Sequence, residues 1–321
     1  INTTSFINGS IVKEFEDNFA KFCDLKYCIG VGNGTDALEI AINSLQLPPN
    51  SEIITQGNTY LGTCLGALNN GHKLRLTDID PNTYMMDVSQ LEELINENTK
   101  VIMPVHLYGC SADMDKIMTI AQKYNLYVIE DCAQAHGCLY KGKKVGTFGD
   151  IACYSFYPGK NLGAFGDGGA IVTNNNSLHE RIRKIRNLGS IIKYHHEIVG
   201  RNSRLDSIQA AVLDVKLKYL DYNNSRRRDV AMLYFKLLKD NKHILLPQVD
   251  DYCTPVYHLF VIRLENQSLR DQLQKYLKEQ NIETGIHYPI SINELNCITC
   301  DDKTTISNKY SKTILSLPMY P

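Results

Sequence analysis

Short apolar runs and helical patterns alternate through the first two thirds of the chain. The runs that predict β-strands are 52–55, 73–77, 100–105, 126–130, 151–156 and 169–173. The segments that predict helices between them are 36–46, 61–70, 89–97, 113–124 and 177–188. Strand–helix alternation with near-continuous apolar strands is typical of a mainly parallel sheet that helices cover on both faces. Ligands of such sheets bind beyond the carboxyl ends of the strands, so we expect functional side chains just after each strand.

The pattern changes after about residue 200. A long helix is predicted over 203–239, with an interruption near Asn223-Asn224. One apolar stripe runs along it at helical spacing and consists of Leu205, Ile208, Val212, Val215 and Tyr219. Beyond this helix, 256–264 alternates like a strand, 268–280 forms an amphipathic helical pattern and 285–290 is extended. We therefore predict an α/β fold with a large domain at 1–221 and a smaller α+β domain at 222–321.

Composition and charge exclude several classes of protein. Hydrophobic residues make up 43% of the 321 residues and charged residues 21%, which excludes a disordered chain. The 34 basic residues against 35 acidic residues do not favour nucleic acid or a membrane surface as partner. The first ten residues have neither the basic flank nor the apolar run of a signal peptide. Because they also lack an initiator methionine, we expect a processed or trimmed chain.

The ten cysteines are scattered without a disulfide framework. A chain of this size needs no covalent cross-links, and several cysteines lie within apolar strand-like runs. We therefore expect reduced thiols in a cytoplasmic protein. Cys297 and Cys300 form a single CxxC pair without a second pair, so we interpret it as incidental and expect no metal site.

The first segment with candidate chemistry is the glycine turn YCIGVGNGTDAL at 27–38. A short strand enters the turn, and a helix is predicted from Asp36. Free backbone N–H groups and the positive end of the helix dipole make this a phosphate-binding site. A dinucleotide fingerprint is the weaker alternative, because Thr35 occupies the position of its third glycine. A simple turn with Thr35 or Asp36 as helix cap stays equally open for this segment alone.

The second segment, VIEDCAQAHG at 128–137, ends an apolar strand in two carboxylates. A carboxylate at this end of a strand faces the ligand crevice, where Asp131 could bind a metal, act as a base or pair with a cationic heterocycle. Capping of a helix is the structural alternative for Asp131. Gln134 and His136 follow, and a structural role is the better interpretation for His136 alone.

The third segment, 148–170, places Lys160 in an aromatic, glycine-rich turn, with Ser155 near the end of the preceding strand. Desolvation among apolar neighbours lowers the pKa of a lysine, and Schiff-base chemistry requires the neutral amine. Most lysines are solvated surface charges, so Lys160 alone carries little weight. A phosphate site, a carboxylate and such a lysine, in this order on an α/β sheet, together predict a pyridoxal phosphate site.

The chain resembles the DegT/DnrJ/EryC1/StrS sugar aminotransferases, a family of fold-type I pyridoxal phosphate transferases that act on nucleotide-linked ketosugars. The resemblance covers about Val12 to Pro321. The motifs that carry it are GNGTDAL, TYLGT, PVHLYG, IEDCAQAHG, GDIACYSFYPGKNLGAFGDGGAIVT, NSRLDSIQAAVL, GIHYPI and LSLPMYP. The chain departs from the family at 56–58, where QGN replaces an apolar-Pro-Phe stretch, and in lacking the family's usual residues beyond both ends.

The resemblance implies roles for the matching residues. Lys160 is similar to the lysine that holds the cofactor and shuttles protons, Asp131 to the partner of the pyridinium nitrogen, and Gln134 to the partner of the cofactor hydroxyl. Tyr60 matches an aromatic ring stacked on the pyridine. The residues that match phosphate contacts are Gly34, Thr35, Ser155 and, from the neighbouring subunit, Asn202. The residues that match the lining of the sugar pocket are Tyr157, Tyr194, His287 and Tyr288. A homodimer with shared active sites is therefore expected.

The resemblance also narrows the substrate. NSRLD at 202–206, with KYHH at 193–196, is similar to members that aminate C3 of dTDP-linked 3-keto-6-deoxyhexoses for cell-surface glycans such as lipopolysaccharide, or for glycosides. Members that act at C4 commonly have NYRMT there. UDP-linked 3-keto sugars and 4-keto sugars stay open, and L-glutamate is the family's usual amino donor. Eliminating relatives replace the catalytic lysine by histidine, and non-catalytic pyridoxal-binding sensors carry a DNA-binding extension; Lys160 and the absence of a basic patch disfavour both.

Overall fold

The computed structural model describes residues 5–321. Its helices are α1 (Ser10–Phe22), α2 (Gly34–Ser44), α3 (Leu61–Leu68), α4 (Leu91–Leu94), α5 (Met114–Tyr124), α6 (Asn176–Arg186), α7 (Ser207–Leu217), α8 (Leu220–Leu238), α9 (Gln267–Glu279) and α10 (Thr305–Ser311). Its strands are β1 (Tyr27–Val31), β2 (Glu52–Gln56), β3 (Lys73–Thr77), β4 (Thr99–Ile102), β5 (Tyr127–Asp131), β6 (Leu139–Tyr140), β7 (Lys143–Lys144), β8 (Ile151–Ser155), β9 (Gly169–Thr173), β10 (Ile244–Leu245), β11 (Cys253–Thr254), β12 (Phe260–Leu264) and β13 (Ile314–Leu317).

A seven-stranded sheet in the order β1-β9-β8-β5-β4-β2-β3 forms the centre of the protein. Strand β9 runs antiparallel to its neighbours β1 and β8 and the other pairings in this sheet are parallel, which confirms the predicted mainly parallel α/β fold. Successive residues of a strand belong to opposite hydrophobic layers, as Ile53 and Ile54 do. The layer of Ile53 includes Ile40 of α2, and that of Ile54 includes Phe15 of α1. Helices therefore cover both faces.

Most predicted elements lie within a few residues of the observed ones. The bounds of β3 and β9 are as predicted. The strand predicted at 100–105 ends early, at Ile102, and Pro104 lacks the N–H that a central strand needs. Helix α1 is absent from the sequence predictions, although Val12, Phe15 and Phe19 recur at helical spacing and are buried.

The interruption predicted near Asn223-Asn224 in the long helix over 203–239 is wrong. The segment forms α7 and α8, which separate at Lys218-Tyr219 and not at the predicted asparagines. Asn224 lies inside α8 and is buried. Its side chain donates to the carbonyl oxygen of His136 at 2.8 Å and accepts from the amide of Asn161 at 3.0 Å. Because these tertiary bonds satisfy the amide, it does not compete with the helix backbone.

The predicted apolar stripe on this region faces outward over much of its length. Ile208, Val215 and Tyr219 are 57%, 57% and 59% exposed, whereas Leu205 and Leu213 are buried in the core. The helical period was therefore right, but the buried face of α7 lies elsewhere.

The C-terminal part forms a third, smaller hydrophobic cluster. A three-stranded sheet in the order β10-β12-β13 contributes Phe260 and Leu315 to it, and α8 contributes Ala231. Helix α8 crosses the predicted boundary at 221/222 without a break, so that boundary stays a prediction. Within residues 5–321, no helix is both long enough and apolar enough to cross a bilayer.

Candidate active site

A cavity of about 610 Å³ lies at the carboxyl ends of β5 and β8, beside the N-terminus of α2. The predicted site residues that line it are Gly34, Thr35, Tyr60, Asp131, Gln134, Ser155, Tyr157, Lys160, His287 and Tyr288. A wider hollow of about 1020 Å³ elsewhere is lined by many carboxylates, among them Asp80, Asp87 and Asp113, which would repel a phosphate. The smaller cavity is therefore the candidate active site.

Lys160 lies in a turn just after β8, where its backbone N–H donates to the carbonyl oxygen of Tyr157 at 2.8 Å. Its Nζ has no hydrogen-bond partner within the described part of the chain. Burial lowers the pKa of this amine to about 8, while the negative charge of Asp131 raises it. Lys160 therefore has much more neutral amine near pH 7 than an exposed lysine has.

Asp131 ends β5 and is 3% exposed. Its carboxylate accepts hydrogen bonds from Thr63 Oγ1 at 2.8 Å and from the backbone N–H of Ala133 at 3.1 Å. Burial raises the pKa of Asp131, while these hydrogen bonds and the charge of Lys160 lower it. A buried carboxylate gains most from a cationic partner, such as a protonated ring nitrogen.

Helix α2 begins at Gly34, two residues before its predicted start. Asn33 is its N-cap, and the side chain of Asn33 accepts from the N–H of Asp36 at 2.8 Å. The N–H groups of Gly34 and Thr35 have no partner among residues 5–321, and both residues line the cavity. A Cβ atom at Gly34 would lie 2.6 Å from Cβ of Ser155, so glycine is needed for this close approach. The arrangement provides donors for an anion at a helix N-terminus.

The remaining wall of the cavity is aromatic and polar. Tyr60 is 60% exposed, and its ring centroid lies 5.8 Å from that of Tyr288. Gln134 is held in place, because its Oε1 accepts from the N–H of Tyr108 at 2.6 Å and its Nε2 donates to the hydroxyl of Tyr288 at 3.0 Å. His287 lies with Nδ1 2.9 Å from Ser316 Oγ.

Two further lining residues, Thr63 and His258, were not singled out from the sequence. Thr63 donates to Asp131 and lies 2.8 Å, oxygen to oxygen, from Thr59. The spacing of these hydroxyls, i and i+4 in the TYLGT run, is the signal that could have found Thr63. His258 lies with Nδ1 3.2 Å from Oδ1 of Asn161, and burial together with the charge of Lys160 holds its pKa well below the usual value. Its position within an apolar alternating segment gave no such signal.

Asn202 and Tyr194 are not among the residues that line the cavity. Asn202 is exposed, and Tyr194 is 79% exposed. The N-cap of α7 is Asp206, so Asn202 does not cap that helix. The roles predicted for these two residues stay predictions.

The cavity fits a ligand that combines a phosphate, a ring nitrogen and an aldehyde. The unpaired N–H groups of Gly34 and Thr35 suit the phosphate, the Asp131 carboxylate suits a protonated nitrogen, and the Lys160 amine suits the aldehyde. Pyridoxal phosphate has these three groups.

Comparisons with known proteins agree with this geometry. The model of the DegT/DnrJ/EryC1/StrS aminotransferase family matches residues 1–321. The dTDP-3-amino-3,6-dideoxy-alpha-D-galactopyranose transaminase of Aneurinibacillus thermoaerophilus is 49% identical over 98% of this chain and 86% of its own length. The UDP-2-acetamido-2-deoxy-3-oxo-D-glucuronate aminotransferase of Pseudomonas aeruginosa is 42% identical over 98% and 87%. The crystal structure of S. venezuelae DesV in complex with a ketimine intermediate is 38% identical, with a TM-score of 0.96 over 100% of this chain and 86% of that chain. The chain therefore belongs to the DegT/DnrJ/EryC1/StrS aminotransferase family, and its cofactor is pyridoxal 5′-phosphate.

Proposed function

We propose that this enzyme transfers an amino group from L-glutamate to the keto carbon C3 of a dTDP-linked 3-keto-6-deoxyhexose. The observation that carries the proposal is the joining of Lys160, Asp131 and the open N-terminus of α2 in one cavity. The sugar follows from NSRLD at 202–206 and from the relative at 49% identity, which is named for a dTDP-3-amino-3,6-dideoxy sugar. The product would enter cell-surface glycans such as lipopolysaccharide, or glycosides. The ten free cysteines support a reducing, cytoplasmic location.

Lys160 is the proposed catalytic residue. Bound pyridoxal phosphate supplies an aldehyde and an electron-withdrawing ring. Lys160 Nζ would hold the aldehyde of the bound cofactor, and as a free amine it would accept the proton that leaves the α-carbon of the amino donor. The pKa of about 8 suits both tasks, because the neutral amine is the nucleophile and the base.

Asp131 would hold a proton on the ring nitrogen of the bound cofactor by pairing with it. Thr63 fixes the orientation of this carboxylate through one oxygen, at 2.8 Å, and the N–H of Ala133 binds the other. A pyridine that stays protonated withdraws electrons from the reacting carbon, so the charge of Asp131 supports proton removal by Lys160.

The other lining residues bind and orient. Gly34, Thr35 and Ser155 would hold the phosphate at the start of α2, and Tyr60 would contact the cofactor ring. Gln134 already uses both ends of its amide, but its Oε1 keeps a second lone pair for the cofactor hydroxyl. The residues proposed for the sugar side of the cavity are Tyr157, His287 and Tyr288.

We propose further that the active enzyme is a homodimer with shared sites. Asn202 and Tyr194 lie outside the cavity of their own chain, as a residue that serves the partner's site must. Uncovered apolar side chains accompany them: Ile192 is 67% and Val199 94% exposed in the same loop. Such a patch is typical of an interface, and a C2 dimer would complete both sites at once.

Mixing two inactive variants tests the shared site. Lys160→Ala subunits refolded with Asn202→Asp subunits give heterodimers in which one site carries both lesions and the other carries none. We expect about half the wild-type activity per heterodimer. If Asn202 serves only its own subunit, heterodimers gain nothing over the separate variants, and the shared-site proposal is wrong.

A substrate panel tests the reaction. Purified enzyme with pyridoxal phosphate and L-glutamate is offered dTDP- and UDP-linked 3-keto and 4-keto sugars, and 2-oxoglutarate is measured. We expect the largest kcat/KM with a dTDP-linked 3-keto-6-deoxyhexose. A larger value with a UDP-linked or 4-keto sugar would replace the proposed substrate. An absence of any borohydride-fixed adduct on Lys160 would reject the chemistry itself.

A further inference from the structure

Three cysteines, Cys110, Cys138 and Cys253, lie close together beside the small sheet formed by β6, β7 and β11. Cys138 immediately precedes β6, and Cys253 begins β11, which pairs with β6. Cys253 is registered opposite Tyr140, so Cys253 and Cys138 project from the same face of this small sheet. The two Sγ atoms lie 3.9 Å apart, and Cys110 contacts Cys253 as the third thiol.

The surroundings of Cys253 favour its thiolate. Its Sγ accepts a hydrogen bond from the backbone N–H of Ser111 at 3.2 Å. The sulfur atoms of Cys110 and Cys138 also lie close to this sulfur, and hydrogen bonding with them lowers the pKa of Cys253, while burial raises it. Burial and these contacts raise the pKa of Cys138. The N–H of Ser111 and the neighbouring sulfurs therefore favour the thiolate at Cys253 over the thiolate at Cys138.

Access also differs among the three. Cys253 and Cys110 are half-buried, whereas Cys138 is buried. Because Cys253 is more exposed than Cys138, we expect a small oxidant to reach Cys253 first. Cysteines that sense oxidants commonly combine a stabilised thiolate with a nearby second thiol.

We propose that Cys253 is an oxidant-reactive thiol and that Cys138 is its resolving partner, with hydrogen peroxide as the oxidant. The Cys253 thiolate attacks one peroxide oxygen, the O–O bond breaks, and hydroxide leaves as the sulfur becomes a sulfenic acid. The Cys138 sulfur then attacks the Cys253 sulfur, the S–O bond breaks, and the hydroxyl group leaves as water with the Cys138 proton. In total, two thiols and one peroxide give one disulfide and two waters.

The geometry permits this bond with local movement. The sulfurs must close from 3.9 Å to about 2.05 Å, which rotation of the two side chains and a small shift of a short sheet can supply. The bond would fasten β6 to β11. The chain after β11 continues to His258 and Leu259, which line the cavity. A cross-link at Cys253 would therefore limit the movement of this part of the cavity wall.

Peptide mapping of the cofactor-loaded enzyme tests the proposal without any substitution. After limiting peroxide and alkylation of the remaining thiols, we expect a cross-linked peptide pair that joins Cys138 to Cys253. Exposed Cys297 is the internal control, and Cys253 should be oxidised at least about tenfold faster than Cys297. Equal rates at the two positions, or a disulfide from Cys253 to Cys110, would overturn the proposal.

Two variants separate the steps. In Cys138→Ser the sulfenic acid on Cys253 should persist and react with dimedone, whereas in Cys253→Ser Cys138 should stay reduced at the same dose of peroxide. Oxidation of Cys138 in Cys253→Ser would show that Cys253 is not the first thiol to react. The expected results do not depend on which sugar the enzyme aminates, because the readout is the state of the thiols.

Discussion

Glu130 and Asp131 are adjacent carboxylates on β5, and both are buried, yet their surroundings differ. The Glu130 carboxylate accepts four hydrogen bonds, at 2.7, 2.9, 2.7 and 2.9 Å, from the N–H groups of Gly146, Phe148 and Gly149 and from His106 Nε2. Asp131 projects to the other side of the strand and has two donors. Donors from the protein itself satisfy the hydrogen-bonding capacity of the Glu130 carboxylate, whereas the Asp131 carboxylate keeps acceptor capacity toward the cavity. Burial alone therefore does not mark a binding residue; incomplete hydrogen bonding in a cavity does.

The largest loss of turnover is expected in the cavity that Asp131 faces, on substitution of Lys160. Lys160→Ala removes the nucleophile and proton carrier, so turnover should fall about 10⁴-fold or more while the fold is retained. Turnover with L-glutamate and circular dichroism measure the two properties. Lys123→Ala is the control, because Lys123 is an exposed lysine paired with Glu92. A Lys160→Ala enzyme with a tenth of wild-type turnover would refute the assignment.

The substitution Asp131→Asn tests the carboxylate that keeps free acceptor capacity in the cavity. The variant should still bind pyridoxal phosphate, because the phosphate donors and Lys160 are unchanged. Its kcat should drop about 100-fold or more, because a neutral amide does not stabilise the ring's proton. Cofactor absorbance and kcat are measured on the same sample. Normal turnover of this variant would mean that another group holds the proton.

The substitution Glu130→Gln tests the carboxylate whose hydrogen bonds are all made within the protein. An NH₂ group then faces backbone donors in a buried site, so the free energy of unfolding should fall by about 3 kcal/mol. The kcat per cofactor-loaded site should stay near that of wild type. Urea denaturation and active-site titration separate the two effects. If Glu130→Gln lost turnover as Asp131→Asn does, without loss of stability, the distinction between the two carboxylates would fail.

The smallest effect expected is a shift in the titration of Lys160. Only the neutral amine reacts with the aldehyde, so the rate at which the apoenzyme captures pyridoxal phosphate should rise with pH and level off above about 8. The negative charge of Asp131 raises the pKa of Lys160, so Asp131→Asn should move the midpoint to lower pH, and Glu130→Gln should move it less. Borohydride-trapped adduct against pH gives the midpoints. A rate that keeps rising to pH 10 would show that the amine is not desolvated.

The sequence predicted correctly those features that depend on residues close together along the chain. The apolar runs predicted β3 and β9, and the turn around Lys160 pointed to the amine, because strand burial and desolvation are visible in neighbouring residues. The break predicted at Asn223-Asn224 failed because Asn224 is bonded to residues distant in sequence. Thr63 and His258 join the cavity only through tertiary contacts, for which spacing along the chain gave little or no signal. The same limit applies to Asn202, whose expected partner is another subunit.

Helix α8 starts in one hydrophobic core and continues into another. Leu220 packs in the main core, and Ala231 packs in the C-terminal cluster. Between them, Arg227 donates to the carbonyl oxygens of Tyr257 at 3.1 Å and Met319 at 3.2 Å. Loss of the C-terminal cluster would leave this helix half unsupported and expose buried donors and acceptors, so neither core melts without weakening the other. The shared helix couples the two cores, so we expect the amide protons of its central turns to exchange with solvent mainly through unfolding of both cores.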